Sequence, residues 1–196
     1  MISKEISKAA IMQNTKFIDS KFFIESLRNR FIDLGGKIVV NKAEKIDPGI
    51  KKIILSDNSK CTYDNLIICA GPWTNELLSS IDVKVDMYPA KGEIIKVEKL
   101  NSNLNYHFHG ECSIVERSDG LIWIAATHNE NEFNSEKTKE AETELMKKAS
   151  MLIPEISLSK KIEHTACVRP STKNGMPIVK EIIDSSNIYV ATGGGG

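Results

Sequence analysis

The first patterned stretch of the chain predicts an amphipathic helix followed by a strand. Over residues 20–34, apolar side chains recur every three or four positions, at Phe23, Leu27, Phe31 and Leu34. This spacing places them on one face of a helix. Asp19 or Ser20 can cap the helix start, and the glycines at 35 and 36 can end it because glycine adopts positive φ. Residues 37–41 then predict a strand, and this order indicates an α/β connection.

Longer apolar runs predict buried strands on both sides of the chain's centre. Residues 51–56 and 61–69 read as two strands around a turn at 57–59. Within the second run, residues 66–70 are apolar without alternation, which indicates a strand covered on both faces, as in a parallel sheet. Residues 188–192 form a comparable late strand.

The middle of the chain has a different pattern, typical of an antiparallel sheet with one helix. Strands of this sheet are predicted at 93–98, 112–117 and 121–127, and residues 162–168 predict a separate late strand. Ser118-Asp119-Gly120 reads as a hairpin turn, with glycine where positive φ is needed. A helix is predicted over 136–152, where Glu144 and Lys148 can pair at i,i+4 and Pro154 follows the end.

These patterns predict a mixed α/β (α+β) fold in which one domain is interrupted by another. The α/β segments lie near residues 35–80 and 165–196, and the antiparallel sheet lies between them. Of the 196 residues, 41% are apolar and 27% are charged, which is typical of a globular protein. No apolar run reaches about 18 residues, so no membrane span is expected.

Charge and cysteine usage narrow the possible partners and the location. The 26 basic and 26 acidic side chains cancel, which argues against a nucleic-acid partner. The four cysteines form no C-x-x-C pair, and the N-terminus lacks the apolar core of a secretory signal. A reduced, cytoplasmic protein is therefore expected.

Several kinds of catalytic or metal site are not supported by the sequence. His107 and His109 alternate onto one face of a strand near Cys112, but this group lacks the remaining ligands of a metal site. No metal is therefore expected. No G-x-S-x-G nucleophile turn is present. The residues around the cysteines and histidines favour no pair of them as the catalytic pair of a hydrolase.

Arg169 is the strongest single candidate for chemistry. It ends a predicted buried strand and precedes Pro170, in a chain that has only 4 arginines against 22 lysines. A guanidinium in such a place is costly unless it is paired, and it offers a bidentate fork to a carboxylate. From the residues alone, an anchor for an anionic substrate and a structural salt bridge both remain open.

Five segments in a fixed order resemble one known family. Residues 169–178, R-P-S-T-K-N-G-M-P-I, are similar to the R-P-x-T-x-D-G-x-P-I stretch of FAD-dependent amine and amino-acid oxidases, the D-amino-acid oxidase superfamily. The pattern is closest to glycine oxidase and D-amino-acid dehydrogenase. The other segments are L-G-G-K-I at 34–38, I-I-C-A-G-P-W at 67–73, P-A-K-G-E at 89–93, and a hairpin with its A-A-T strand over 114–127.

The resemblance implies an incomplete FAD-binding, Rossmann-like domain interrupted by an antiparallel-sheet substrate domain. Residues 1–18 would be a strand region of the substrate domain, 19–80 part of the FAD-binding domain, 81–164 the substrate domain, and 165–196 a truncated return to the FAD-binding domain. The implied reaction is FAD-dependent oxidation of a small amino acid or amine. A hydride leaves the carbon that bears the amine and an imine forms.

The departures from the family pattern imply a partial chain. None of the 12 glycines forms the G-x-G-x-x-G turn that holds the FAD pyrophosphate, and the family's last helix is missing. The chain alone is therefore expected neither to bind FAD tightly nor to turn over. Two alternatives stay open: a split flavoenzyme whose N-terminal half is another chain, and a non-catalytic module that binds a small anion or an amino acid.

The resemblance also implies roles for individual residues. On the substrate side, Arg169 would anchor the carboxylate, and Thr127 and His128 would line the pocket. The residues implied to approach FAD are Glu44 near the adenine, through main-chain groups, and Ala70, Gly71, Trp73, Gly193, Gly194 and Gly195 near the flavin. For Trp73 simple core packing is the alternative, for Thr127 and His128 a polar rim, and for the terminal glycines a ragged end.

Overall fold

The computed structural model describes residues 2–12, 18–102, 104, 106–184 and 186–195, and the chain divides into two compact units. Unit 1 comprises Met1–Ile38, Gly92–Thr127 and Glu136–Ala166. Unit 2 comprises Val39–Lys91, His128–Ser135 and Cys167–Gly196. Residues 13–17 of the predicted first segment and Gly196 of the terminal glycines lie outside the described residues. The functional domains predicted at residues 1–18, 19–80, 81–164 and 165–196 stay predictions.

Within the described residues, the chain forms three α-helices and twelve strands. The helices are α1 (Ser20–Asp33), α2 (Thr74–Leu78) and α3 (Lys139–Leu152), and short 3-10 turns cover Gly71–Trp73, Ser79–Ile81 and Pro154–Leu158. The strands are β1 (Ala43–Asp47), β2 (Lys52–Leu55), β3 (Lys60–Thr62), β4 (Leu66–Ile68), β5 (Tyr88–Glu98), β6 (Phe108–His109), β7 (Ser113–Glu116), β8 (Leu121–Ala125), β9 (Asn129–Glu130), β10 (Lys161–Ser171), β11 (Ile178–Ile183) and β12 (Ile188–Thr192). None of the helices found in these residues has the length and apolar character needed to cross a membrane.

Unit 1 is built on an antiparallel sheet that packs against α3. The sheet has the order β10-β5-β8-β7-β6. β5 pairs with β8 from Ile94↔Ala125 to Glu98↔Leu121, and Gly120, at φ +76°, lies in the turn between β7 and β8. Because strand side chains alternate between faces, every second residue points inward. The shared core consists of Ile95, Val97, Leu100, Cys112, Ile114, Ile122, Ile124, Leu145, Ala149, Ile153 and Ile156.

The start of α3 depends on a buried carboxylate in β5. The helix begins at Lys139, three residues later than predicted, because Thr138 is its N-cap and accepts from the backbone N–H of Ala141. The N–H and the hydroxyl of Thr138 both donate to Glu93 at 2.8 Å. Glu93 is fully buried, and Nε2 of His164 lies 2.8 Å from its Oε2 atom. This arrangement ties α3 to β5 and β10.

Unit 2 contains two three-stranded sheets. One has the antiparallel order β1-β2-β3. The other has the order β11-β12-β4, in which β11 and β12 are antiparallel and β12 and β4 are parallel. The predicted parallel strand is therefore confirmed. The core of unit 2 consists of Ile46, Leu66, Ile68, Leu78, Val85, Met87, Ile188 and Val190.

Two predicted strands differ from the structure. Residues 37–41 form no strand, and Val39 and Val40 are 63% and 94% exposed. A strand needs hydrogen bonds to a neighbouring strand, and none of the described strands pairs with this segment, so its apolar pattern alone does not order it. The strand predicted over 61–69 is two strands, β3 and β4, which belong to different sheets because the chain breaks its extended path at residues 63–65.

Two apolar faces are exposed. β4 was expected to be covered on both faces, but Ile67 is 64% exposed, so the expectation is wrong for one face. Helix α1 has the predicted extent and the predicted cap at Asp19, yet no residue of it is buried. Phe31 is 51% exposed and Leu27 54%. These faces are apolar surface that neither unit covers by itself.

Candidate active site in unit 2

The parallel strands β4 and β12 end at the same edge of their sheet. The pairing runs from Leu66↔Ile188 to Ile68↔Val190, so the two strands leave the sheet in the same direction. β4 continues into Ala70 and the 3-10 turn Gly71–Trp73. β12 continues into Gly193. Ligands of open α/β sheets bind outside the carboxyl ends of such strands. The structure thus brings two of the predicted cofactor-binding segments together.

Two buried threonine hydroxyls join these segments, and the sequence reasoning missed both. The carbonyl oxygen of Gly71 accepts from the hydroxyl of Thr74 at 2.7 Å and from the hydroxyl of Thr192 at 3.3 Å. Thr74 is fully buried and Thr192 is 7% exposed. A polar residue that closes the apolar run of β12 was the available signal, because a buried hydroxyl needs a partner.

The loop after β12 presses against the end of β10, and glycine makes this possible. Gly193 has φ +78°, and a Cβ there would lie 2.7 Å from Cγ2 of Thr172. At Gly195 a Cβ would lie 2.6 Å from the carbonyl oxygen of Pro170 and 2.7 Å from Cβ of Arg169. The N–H of Gly195 donates to that same carbonyl at 2.9 Å. Gly193 and Gly195 are therefore packed against the end of β10 and its turn, whereas Gly194 between them is exposed.

The turn after β10 is held by its own side chains. The hydroxyl of Thr172 donates to the carbonyl of Met176 at 2.8 Å, and the N–H of Gly175, at φ +69°, donates to the carbonyl of Thr172 at 3.1 Å. Oδ1 of Asn174 accepts from the N–H of Met176 at 3.1 Å. Asn174 stands where the family pattern has aspartate, and its amide oxygen accepts the turn's hydrogen bond.

Arg169 and His128 meet in unit 2. The Nη2 atom of Arg169 lies 3.5 Å from Nδ1 of His128, and the guanidinium is partly buried on β10. Because arginine only donates, a hydrogen bond across this contact requires Nδ1 of His128 to be the acceptor. Two of the three residues predicted for the substrate side therefore lie together.

Trp73 is not a core residue. Its side chain is 51% exposed and packs edge to face on Phe133, with ring centroids 5.8 Å apart and an interplanar angle of 89°. Phe133 is itself 50% exposed. The core-packing alternative for Trp73 is therefore wrong. Phe133 was missed by the sequence reasoning, because it stands alone in a polar stretch with no periodic signal.

Lys91 is a second residue that the sequence reasoning missed. It lies in the P-A-K-G-E segment, which served only to identify the family. Its side chain is 2% exposed, and Nζ lies 3.3 Å from Oε2 of Glu132. A lysine between apolar positions in that segment was the available signal, since lysine is rarely buried without a partner.

Thr127 directly precedes His128 in the chain, and Glu44 lies on a different sheet of unit 2 from β4 and β12. Thr127 belongs to unit 1, where its hydroxyl oxygen accepts from the N–H of Glu93 at 3.0 Å. Glu44 lies on β1, in the other sheet of unit 2, between the register partners Ala43↔Leu55 and Lys45↔Ile54. It is the extra residue of a β-bulge, which makes no ladder pair of its own. Its predicted contact with the adenine through main-chain groups stays a prediction.

Comparison with known proteins decides the family. A model of the family described as DAO, FAD dependent oxidoreductase, matches residues 2–196. The chain belongs to this family. The resemblance drawn from the five segments is thus confirmed, and the cofactor of the family is FAD, as predicted.

Relatives of this FAD dependent oxidoreductase are longer than the chain itself. It is 27% identical over 141 residues to glycine oxidase from Bacillus licheniformis, which covers 71% of this chain and 38% of the relative. It is 27% identical over 131 residues to glycine oxidase from Pseudomonas aeruginosa, covering 66% of this chain and 36% of the relative. The chain therefore spans less than two fifths of the length of these curated relatives.

Solved structures show the fold. Iminodiacetate oxidase from Chelativorans sp. superposes with a TM-score of 0.82 at 18% identity, over 90% of this chain and 50% of that one. Glycine oxidase from Geobacillus kaustophilus superposes with a TM-score of 0.73 at 22% identity, over 79% of this chain and 42% of that one. The predicted mixed α/β fold with an antiparallel sheet is confirmed.

The glycines of this FAD dependent oxidoreductase fit the flavin side of a cofactor site. A Cβ at Gly71, which has φ +56°, or at Gly194 would meet no atom within 4 Å, so open space lies over the backbone at both positions. A flat ring system can approach a backbone that carries no side chain. The backbone on either side of Gly194 is fixed by the contacts of Gly193 and Gly195. The residues of unit 2 thus fit the flavin part of FAD.

Proposed function

We propose that unit 2 carries part of the active site of an FAD-dependent enzyme that oxidises a small amino acid or amine. The observation that supports this most directly is the packing of the glycine loop on Arg169 and Pro170, through the hydrogen bond of the Gly195 N–H. This packing places the guanidinium of Arg169, a group that can bind anions, beside the backbone of the glycine loop. The space over Gly194 in that loop is open. FAD, when bound, supplies the acceptor for the hydride that leaves the carbon bearing the amine.

The proposed task of Arg169 is to hold the carboxylate of the substrate. Its guanidinium offers two parallel N–H donors, and a fixed carboxylate also fixes the neighbouring α-carbon. The present contact with Nδ1 of His128 is long, at 3.5 Å. A carboxylate can replace it with shorter, charge-assisted hydrogen bonds. The relatives named glycine oxidase support a small substrate.

The proposed flavin-side residues act through backbone and ring surface. Gly193, Gly194 and Gly195 would offer N–H groups to the flavin ring, and Ala70 and Gly71 would let it approach the main chain. Trp73, half exposed, would pack against it. Thr127 in the pocket and Glu44 near the adenine are weaker parts of the proposal. A reducing, cytoplasmic location also stays a prediction.

We propose that protein outside these 196 residues completes the cofactor site, either as further sequence of the same polypeptide or as a second polypeptide. The chain spans 38% of the glycine oxidase from Bacillus licheniformis, and none of its 12 glycines forms the G-x-G-x-x-G turn. Helix α1 has no buried residue, and Ile67 on β4 is 64% exposed, so apolar surface is available for further protein. The proposed further protein carries the strand, the G-x-G-x-x-G turn and the helix that hold the pyrophosphate.

Reconstitution tests this function. The 196-residue chain purified with excess FAD is expected to be colourless, and a stoichiometric flavin absorbance would contradict the need for protein outside these residues. Co-expression with a neighbouring reading frame that encodes G-x-G-x-x-G is expected to give a flavin-containing complex that oxidises glycine or another small amine. Failure of every such pairing counts against the split enzyme.

Two arginine variants of the complex separate substrate binding from folding. Arg169→Lys is expected to raise KM more than it lowers kcat, because lysine keeps the charge but loses the bidentate fork. Arg117→Lys is the matched control, since Arg117 lies in unit 1 and stacks on Trp123 at 4.8 Å. An equal effect of the two substitutions on KM would refute the anchor.

A non-catalytic binding module is the second candidate. Arg169 and His128 both lie in unit 2, so an anion site of these two residues needs no flavin. Binding of a small amino acid that depends on Arg169, in a chain that never acquires flavin with any partner, would favour this candidate.

A further inference from the structure

Residues 128–135 of unit 2, here named the 128–135 wall, connect two parts of the candidate site. His128 at its start contacts Arg169 at 3.5 Å, and Phe133 near its end packs on Trp73 at 5.8 Å. We propose that this segment is a wall of the active site that limits substrate size, and that Lys91 positions it through Glu132. The roles of Arg169 and Trp73 in this inference rest on the proposed function.

The first half of the wall is fixed by the backbone of β5. β9 pairs with β5 at Ala90↔Glu130 and Lys91↔Asn129. The N–H of Asn131 then donates to the carbonyl of Pro89 at 2.7 Å. Asn131 has φ +60°, a left-handed conformation that turns the chain away from β5. Beyond this point the backbone ladder no longer determines where the wall goes.

The second half of the wall is held by a buried charge pair. The Lys91 side chain is 2% exposed, and its ammonium lies 3.3 Å from Oε2 of Glu132. Although 43% of the Glu132 side chain is exposed, the Oε2 atom that faces the ammonium is buried. Two charges taken out of water are stable only close to each other. The position of Lys91 therefore determines the position of Glu132, and Phe133 follows directly in the chain.

The position of Phe133 decides how much room the site has. Its ring and the ring of Trp73 are each about half exposed and meet at right angles. Trp73 follows Gly71, over which the space is open. In the proposed site, two aromatic rings at that place would narrow the space beside Gly71 and so favour a small substrate. The same segment presents Nδ1 of His128 to Arg169. The ion pair of Lys91 and Glu132 thus controls the apolar end of the wall, while the pairing of β9 with β5 holds the polar end.

The fluorescence of Trp73 reports whether the 128–135 wall still covers this ring in the 196-residue chain. The chain has two tryptophans, so Trp123→Phe leaves Trp73 as the single reporter. Glu132→Gln and Phe133→Ala are each expected to increase acrylamide quenching of Trp73, by up to about twofold as the half-exposed ring opens to solvent. Lys91→Arg, which keeps the charge, is expected to stay near the parent value, and Lys91→Met to behave as Glu132→Gln.

The matched control removes a similar charge elsewhere. Glu144→Gln breaks the pair of Glu144 with Lys148 on α3, and the Glu144 side chain is 54% exposed. This substitution is expected to leave the quenching of Trp73 unchanged. Unchanged quenching for both Glu132→Gln and Phe133→Ala, with native circular dichroism, would overturn the proposal. If Glu132→Gln does not fold, Glu132→Asp, which keeps the charge on a shorter side chain, replaces it. Unchanged acrylamide quenching of Trp73 in Glu132→Asp would also overturn the proposal.

Titration with acetate separates this inference from the proposed function. If Glu132→Gln exposes Trp73 but the parent chain does not bind acetate, the role of Arg169 fails and positioning by Lys91 stands. If the parent chain binds acetate and Trp73 does not respond to Glu132→Gln, positioning by Lys91 fails and the anion site stands.

Discussion

Gly195 lies directly against Arg169. A Cβ added at Gly195 would be 2.7 Å from Cβ of Arg169 and 2.6 Å from the carbonyl oxygen of Pro170, and real Cβ atoms do not approach so closely. The loop after β12 reaches the end of β10 only because residue 195 has no side chain. This contact joins the residue proposed to anchor the substrate to the loop proposed to meet the flavin.

Gly195→Ala is expected to push the loop away from β10. The obstructing atoms are backbone and Cβ, which cannot rotate aside, so a loss of about 1–3 kcal/mol in the free energy of unfolding is expected. Denaturant titration of the chain measures it. Gly194→Ala is the control, because no atom lies within 4 Å of a Cβ there. Equal stability of the two variants would contradict the close packing at residue 195.

Thr192→Val is expected to loosen the link between the ends of β4 and β12. The substitution keeps the shape of the side chain but removes a buried hydroxyl that donates to the carbonyl of Gly71. Because the Gly71 carbonyl keeps the hydrogen bond from Thr74, the expected loss is that of one ordinary hydrogen bond, about 0.5–1.5 kcal/mol. Thr192→Ser keeps the hydroxyl and is expected to be closer to the parent in thermal unfolding. A valine variant as stable as the parent would refute the link.

Cys112 is expected to be inert towards thiol reagents. Burial raises the pKa of its thiol to about 11, with a smaller opposing effect from the charge of Lys148. At pH 8 only about one thiol in a thousand is then the reactive thiolate. Cys69 and Cys167 are exposed and are expected to react promptly. Cys112→Ala should therefore leave the number of fast-reacting thiols unchanged at pH 8, and a loss of one would contradict the burial.

Acid is expected to weaken the attachment of α1 to unit 1. The hydroxyl of Ser118 donates to Asp19 at 2.7 Å and lowers the pKa of that carboxyl, as do the N–H groups of Phe22 and Lys21 at the helix start. A lowered pKa means that the stabilisation is complete above the ordinary value of about 3.9 and is lost as pH falls through the folded-state value.

Hydrogen exchange in α1 measures this pH dependence. Asp19→Asn is expected to speed amide hydrogen exchange in α1 at neutral pH. It is also expected to make the exchange protection of α1 less dependent on pH in the acid range. Glu25→Gln, on the same exposed helix, is the control for the change in charge. An unchanged acid response in Asp19→Asn would show that the cap does not hold the helix.

The resemblance to the family supplied the proposed flavin-side roles, while the strand pattern predicts only where these residues lie. Gly71 and Gly193 come shortly after the apolar runs of β4 and β12. Once those runs are assigned to a parallel sheet, the residues after them must share an edge. The resemblance to the family added Arg169, which local pattern alone left open between a substrate anchor and a salt bridge.

The remaining contacts could not be predicted because they depend on long-range packing. Lys91 and Glu132 are 41 positions apart, and no periodicity links them. The strand expected at 37–41 fails for the same reason, since its hydrogen bonds need a neighbour that local sequence does not specify. Composition marks such residues as polar, but only the fold decides which of them are buried together.

Calorimetric titration of the 196-residue chain with acetate tests the central claim most directly. The parent chain is expected to bind acetate and not methylammonium, because Arg169 offers only donors to the ligand. Arg169→Gln is expected to weaken acetate binding at least about tenfold, since hydrogen bonds to a charged group contribute about 1.5–3 kcal/mol. Acetate binding of equal strength in the parent chain and in Arg169→Gln would contradict the account.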